Sequence, residues 1–292
     1  MSLTDVLNSS VTADLKPRDE DLDLFGLTHQ GLVRSENQDH FLIGTLHREL
    51  AVHGTSLPMS QLLLRGERLA TFGVVADGVG GSAGGAAASR RAVETIAQYV
   101  QSTLRCFSVA DPNHELAFVE ALRAAALEAH TAVRAMRGDA EDSGPATTLT
   151  MAIGVWPRAY VLQVGDSRCY VYGDGALPRL TRDQTVAQDF VDSGTLKAEE
   201  VARSPYRNVL SSAIGGRTAD PVVSALNQRR DNVVLLCSDG LTRHVSDEEL
   251  GVALASIRSA EQVCQDLLRL ALERGGTDNV TIIVGCARHP MS

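Results

Sequence analysis

The residues best suited to chemistry in this chain are aspartates placed where apolar, β-prone runs begin or end. Phe72-Gly-Val-Val-Ala-Asp77-Gly78, Leu162-Gln-Val-Gly-Asp166-Ser-Arg168 and Val234-Leu-Leu-Cys-Ser-Asp239-Gly240 each close a run with an aspartate, and Gly275-Gly-Thr-Asp278-Asn279 precedes one. Taken singly, Asp-Gly after a strand is a turn. Four such positions at the ends of strands that share a core carry another meaning. Bare carboxylates brought together repel, and their pKa values rise. A divalent cation removes that cost, and an all-oxygen set of carboxylates, backbone carbonyl and water suits Mg²⁺ or Mn²⁺ rather than zinc.

The elements that must position these aspartates are legible as periodicities. Runs near 23–28, 39–44, 69–76, 147–155, 159–164, 168–172, 222–226, 232–237 and 279–286 read as strands. Those at 69–76 and 233–237 are apolar on both faces, as strands covered on both sides are. Pro157-Arg158 marks a hairpin turn between two of the runs. Helical spacing appears in Val93, Ile96, Ala97, Val100 and Leu104, in Phe118, Leu122, Ala125, Ala129, Val133 and Met136, and in Val263, Leu267, Leu270 and Ala271. Ser246 with Glu249 three residues on predicts a capped helix start. Strands in clusters and helices in pairs predict an α+β fold, with two packed antiparallel sheets and helices on both outer faces.

Composition sets bounds. The 292 residues are 44% hydrophobic and 22% charged, the profile of a folded globular chain. A domain of this size buries about three quarters of its unfolded surface, so it needs no disulfide or structural metal to fold. The net charge of −9 argues against a nucleic-acid binder held by phosphate neutralisation. The five cysteines are odd in number and form no CxxC pair, which points to a reducing, cytoplasmic setting. No secretory h-region is visible in the first thirty residues, and no apolar run is long enough for membrane insertion. Residues 1–21 read as a flexible lead and 22–288 as one domain. The stretch 45–66, with Leu62-Leu-Leu64 inside it, reads as a packed loop.

Gly78-Val-Gly-Gly-Ser-Ala-Gly-Gly85 invites a phosphate-loop reading, but its spacing is not GxGxxG and it holds no Walker lysine. A backbone carbonyl at Gly78 free to approach a metal, with later glycines allowing close helix packing, fits better. His40, beside an aspartate but on the opposite strand face, reads as packing, His244 as a surface residue, and Cys237 as a reduced core thiol.

The ordered set Arg34-Ser-Glu-Asn-Gln-Asp39, Asp77-Gly-Val-Gly-Gly81, Gly165-Asp-Ser-Arg168, Ser238-Asp-Gly-Leu241 and Asp278-Asn-Val-Thr281 resembles the metal-dependent protein phosphatases, the type 2C (PPM) Ser/Thr family, in a bacterial-type form. The likeness runs from about Leu22 to Cys286. It implies hydrolysis of phosphoserine and phosphothreonine in proteins by a metal-bridged hydroxide, in opposition to a Ser/Thr kinase. It also implies two Mn²⁺ or Mg²⁺ ions, with a third more weakly held. Asp77 would bridge the two ions, the Gly78 carbonyl would meet one, and Asp239 and Asp278 would hold the second. Asp39 would support that centre, Asp166 with Asp239 would take the third ion, and Arg34 would bind the substrate phosphate. Residues 184–217 match the family's flap. Four positions depart from the pattern: Val79 replaces a histidine proposed as general acid, Gln38 a glutamate, Gln184 a histidine, and Arg243 an extra carboxylate. Protonation of the leaving alkoxide then falls to a metal-bound water. Two rivals remain at this level: a pseudophosphatase that binds phosphoproteins without turnover, and another two-metal hydrolase such as a nuclease.

Overall fold

The computed structural model describes residues 16–49, 52, 65–79, 84–103, 112–137 and 144–287. Its elements in chain order are β1 (Leu22–His29), β2 (His40–Glu49), β3 (Arg65–Ala76), β4 (Gly78–Val79), α1 (Gly85–Thr103), α2 (Pro112–Arg134), β5 (Ala146–Thr147), β6 (Leu149–Val155), β7 (Arg158–Val164), β8 (Arg168–Tyr172), α3 (Val186–Asp192), β9 (Val222–Asn227), β10 (Val233–Cys237), α4 (Asp239–Thr242), α5 (Asp247–Ala255), α6 (Ala260–Glu273) and β11 (Val280–Ala287). One antiparallel sheet has the order β2-β3-β6-β7-β9 and the other β1-β11-β10-β8; β4 and β5 form a small ribbon that the strand pattern did not single out.

The alternation of side chains along each strand explains the layers. On β3, Val74 and Ala76 face α1 and α2, while Val75 faces the other sheet. On β10, Leu235 and Cys237 pack under α5 and α6, while Leu236 turns inward, and on β11 Ile282 and Val284 do the same around inward Ile283. Helices therefore cover both outer faces, as the periodicities predict. The stripe Phe118, Leu122, Ala125, Ala129 and Val133 is buried, but Met136 falls in a 3₁₀ turn beyond α2 and is exposed. Ser246 caps α5 with the reciprocal bonds of a capping box, Glu249 N to Ser246 Oγ at 3.3 Å and Ser246 N to Glu249 Oε2 at 3.0 Å. The β6–β7 turn is Trp156-Pro157, because Arg158 already pairs with Val155.

The N-terminal edge is held more closely than its composition suggests. Residues 16–21, assigned to the flexible lead, are tied to the domain. Arg68 donates to Pro17 O and Asp19 Oδ1, both at 2.6 Å, and Arg230 donates to Asp21 Oδ2 at 2.7 Å. Residues 1–15 of that lead lie outside the described residues. Leu104, Gly80–Ala83 and most of the 45–66 stretch, including Leu62-Leu-Leu64, lie outside the described residues.

Candidate metal and phosphate site

Antiparallel pairing brings the aspartates together. His40 at the start of β2 pairs with Ala76 at the end of β3, so Asp39 and Asp77 emerge side by side. In the other sheet Cys237 near the end of β10 pairs with Ile282 near the start of β11, which places Asp239 beside Asp278. Asp166 follows β7, two residues beyond Val164, whose partner Leu149 starts β6. All five carboxylates leave one end of the sandwich. There Arg34, Asp77, Gly78, Asp166, Asp239 and Asp278 line a cleft of about 320 Å³, with Asn208 and Leu210 of the 184–217 segment on its wall. Asp39 is buried and does not line the cleft; its Oδ2 accepts from Ser238 Oγ at 2.8 Å and from Thr281 Oγ1 at 2.7 Å.

The electrostatics follow from this crowding. Burial, and then the charges of Asp39, Asp239, Asp166 and Asp278, holds the Asp77 carboxyl well above the ordinary carboxylate range. Burial followed by repulsion from Asp239 pushes Asp166 up to about 8. Burial raises Asp39 to about 6 against the opposing hydroxyls of Thr281 and Ser238, and raises Asp239 against the opposing charge of Arg243. Buried oxygens Asp39 Oδ1 and Asp239 Oδ1 have no hydrogen-bond partner. An unpaired carboxylate oxygen of Asp239 in the cleft, over the buried unpaired oxygen of Asp39, is the kind of donor a hard divalent cation takes, so the residues fit Mg²⁺ or Mn²⁺. Among the described residues, however, no three carboxylate, histidine or cysteine groups already converge as a ligand set. Guanidiniums take their place on two of the aspartates. Arg34 holds Asp278 through Nε to Oδ1 and through its second nitrogen to Oδ2, both at 2.7 Å, and Arg243 reaches Asp278 at 3.0 Å while also pairing with Asp239.

Glycine is required at Gly78 for close approach: a Cβ there would lie 2.6 Å from Gly85 O and 2.8 Å from Gln38 O. At Gly240 a Cβ would overlap the Asn279 carbonyl. Gln38, in place of glutamate, keeps its side chain against the start of α1, where a Cβ on Gly85 would meet Gln38 Oε1 at 2.6 Å. Gln184 ties the 184–217 segment to the Asp166 turn, with Gly165 N donating to its Oε1 at 2.7 Å. In that segment Phe190 of α3 packs edge-on against Tyr206, three residues beyond a 3₁₀ turn (Ala198–Arg203), with ring centroids 5.7 Å apart.

The sequence reading missed several supporting residues. Asn279, 5% exposed, accepts from Gln38 N at 2.9 Å and donates to Gln30 O at 2.8 Å and Glu36 O at 2.9 Å, so it shapes the whole loop that carries Arg34. Thr148 Oγ1 accepts from Asp77 N at 2.9 Å and pairs with Ser167 Oγ at 2.8 Å, which joins the Asp77 and Asp166 turns. His244 accepts from Thr277 N at 3.1 Å and so braces the residue before Asp278. His40 pairs with Ser89 at 2.9 Å, a packing role, and burial pushes the Cys237 thiol up to about 12.

A two-sheet sandwich with outer helices and an aspartate cluster at one end of both sheets defines a class, and sequence comparison agrees: the Protein phosphatase 2C family profile matches residues 63–271. The chain belongs to that family. It is 33% identical over 258 residues, or 87% of its length, to the serine/threonine protein phosphatase PstP of Mycobacterium tuberculosis, and spans 43% of that protein. The crystal structure of that serine/threonine phosphatase superposes with a TM-score of 0.72 at 30% identity, covering 92% of this chain and 99% of the other. A PstP catalytic domain in complex with two manganese ions superposes with a TM-score of 0.70 at 29% identity, covering 92% and 99% of the two chains. PppA, described as a key regulatory component of T6SS in Pseudomonas aeruginosa, superposes at 0.68 with 28% identity over 91% and 97%.

Proposed function

We propose that this chain is a metal-dependent phosphoprotein phosphatase that hydrolyses phosphoserine and phosphothreonine. The observation that carries the reading is the gathering of Asp77, Asp166, Asp239 and Asp278 with Arg34 in one cleft, over a buried Asp39. Asp77 and the Gly78 carbonyl, with Asp239 and Asp278, would hold two Mn²⁺ or Mg²⁺ ions, with Asp39 in support. Asp166 with Asp239 is the candidate for a third. Bound there, such ions supply charge stabilisation of the phosphoryl oxygens and lower the pKa of water.

The chain's own residues do the rest. Arg34, half exposed at the cleft mouth, offers a planar fork to two phosphate oxygens at once, which an ammonium cannot do. Its present partner Asp278 keeps the fork aimed into the cleft until a phosphate competes for it. Thr148 and Ser167 fix the turns of Asp77 and Asp166 relative to each other, and pre-set carboxylates need little reorganisation during the reaction. Asn208 and Leu210 place the 184–217 segment where a protein substrate flanking the phosphoresidue would lie, in keeping with a flap.

The partners are phosphorylated proteins, and the natural counterpart is a Ser/Thr kinase. Among the described residues no helix is long and apolar enough to cross a membrane, and Cys169, Cys237 and Cys264 are buried thiols. The test is phosphate release from a phosphothreonine peptide with Mn²⁺, with EDTA, and with Asp239→Ala. Metal-dependent release lost in the variant is expected. A folded protein that binds Mn²⁺ yet releases no phosphate would instead make it a phosphoprotein-binding pseudophosphatase.

A further inference from the structure

Arg243 sits at the C-terminal end of α4, and its backbone N–H bonds Asp239 O at 2.9 Å. Its side chain folds back over the same turn to pair with Asp239 Oδ2 and extends to Asp278 Oδ2 at 3.0 Å. One guanidinium therefore bridges two of the carboxylates assigned to the metal cradle, which come from α4 and from a position two residues before β11. Asp278 Oδ2 is shared with Arg34, and the other oxygen of Asp239 is buried and unpartnered. A guanidinium does not deprotonate in a protein, so its positive charge is permanent. At 30% side-chain exposure, Arg243 also has solvent to retreat into.

We propose that Arg243 is a tethered counter-cation for the cradle: it holds Asp239 and Asp278 in the metal-free protein, competes with the divalent ion for them, and so sets the affinity of that ion. The proposal rests on these carboxylates being metal ligands. The argument is thermodynamic linkage. Whatever Arg243 contributes to the metal-free state must be given up when Asp239 and Asp278 turn to an ion, so metal affinity is lowered by the same factor. Replacing Arg243 by a neutral residue removes both the competitor and its repulsion of the ion. Arg243 is a positioning residue in this scheme, acting through the carboxylates rather than on the substrate.

The experiment is a Mn²⁺ titration without substrate, read by the electron paramagnetic resonance of free Mn²⁺, on wild type, Arg243→Gln and Arg243→Lys, with thermal melts in EDTA and in saturating Mn²⁺. Arg243→Gln is expected to bind Mn²⁺ more tightly by roughly 5- to 150-fold, the usual size of a coupling between two ligands. Its melting temperature should fall in EDTA and stay near wild type in Mn²⁺. Arg243→Lys, whose ammonium cannot bridge two carboxylates with a planar fork, should lie between the two. Unchanged or weaker Mn²⁺ binding by Arg243→Gln would overturn the proposal. So would an equal loss of melting temperature with and without metal, which marks a structural brace on α4. If Arg243→Gln does not fold, Arg243→Lys decides by the same two readouts. Because binding is read without turnover, tighter binding by a chain that hydrolyses nothing would sink the phosphatase reading and leave this one standing, and unchanged binding by an active enzyme would do the reverse.

Discussion

Asn279→Ala should act on Arg34, the proposed phosphate-binding residue, without touching it. The Asn279 side chain makes three hydrogen bonds of 2.8–2.9 Å to the backbone of Gln30, Glu36 and Gln38, and these bracket Arg34 on both sides. Each such bond contributes about 1 kcal/mol net, so their joint loss should destabilise the protein by about 3 kcal/mol. For a domain of this size that lowers the melting temperature by about 6–12 °C. The loop that loses its anchor carries Arg34, and a displacement of about 1 Å in a substrate-holding group can cost about a hundredfold in rate. Asn279→Asp should be no milder. It keeps the acceptor for Gln38 N but sets an anionic oxygen against the Gln30 and Glu36 carbonyls.

Urea unfolding in EDTA measures the stability change free of metal linkage, and kcat/KM on a phosphothreonine peptide measures the rest. The decisive comparison is Arg34→Ala, Asn279→Ala and the double variant. If Asn279 acts through Arg34, the double variant should be scarcely worse than Arg34→Ala alone. Losses in kcat/KM that multiply, or an Asn279→Ala protein within about 0.5 kcal/mol of wild type, well short of three net bonds, would refute the reasoning.

In EDTA the protein should be less stable at pH 8 than at pH 5. Asp39 and Asp166 are raised to about 6 and about 8 from 3.8, so the folded state keeps protons that the unfolded chain releases; the stabilisation is complete below about pH 4 and is lost as pH rises through those folded values. Asp166→Asn should flatten the upper part of that decline in urea midpoints, and an unchanged slope would count against it. Gly240→Ala, whose new Cβ overlaps the Asn279 carbonyl, should cost about 2 kcal/mol or more in urea unfolding; a neutral outcome would show that the α4–β11 approach is looser than described. Cys237, buried and pushed up to about 12, should resist iodoacetamide at pH 8 and label fully in denaturant, as followed by mass spectrometry; rapid labelling of the native protein would contradict its burial.

How much of this was legible in sequence follows from the range of each interaction. Asp77, Asp166, Asp239 and Asp278 were visible because each stands at the edge of an apolar run, a local signal that survives without a fold. The two-layer sandwich was visible because Val74 and Val75, or Leu235 and Leu236, are apolar in succession, and only strands covered on both sides need that. Asn279 was not, because its partners lie 241–249 residues away and are backbone groups, which leave no mark in side-chain chemistry. Arg243 was noted as a departure, but its reach to Asp278 depends on how α4 meets β11. The tie between Lys16–Asp21 and the body was hidden for the same reason, since Arg68 and Arg230, its partners, lie far along the chain.

The five aspartates do not share the cost of being gathered equally. Asp39 is offset by two hydroxyl donors, Asp239 by Arg243, and Asp278 by Arg34 and Arg243. Asp77 and Asp166 have neither a hydroxyl donor nor an ion pair among the described residues, and Asp77 feels the charge of all four others. A carboxylate in that position persists only as an acid or against an external cation. The residue the fold leaves least compensated is therefore the one from which a divalent ion gains most, and it is Asp77, fixed by its backbone to Thr148 at the point where the β2–β3 hairpin faces the ends of β7, β10 and β11. The chain's own groups hold Asp39, Asp239 and Asp278 in place without a metal. Asp77 and Asp166 are the two that no hydroxyl donor or ion pair among the described residues offsets, so on the proposed reading a bound cation would relieve them most.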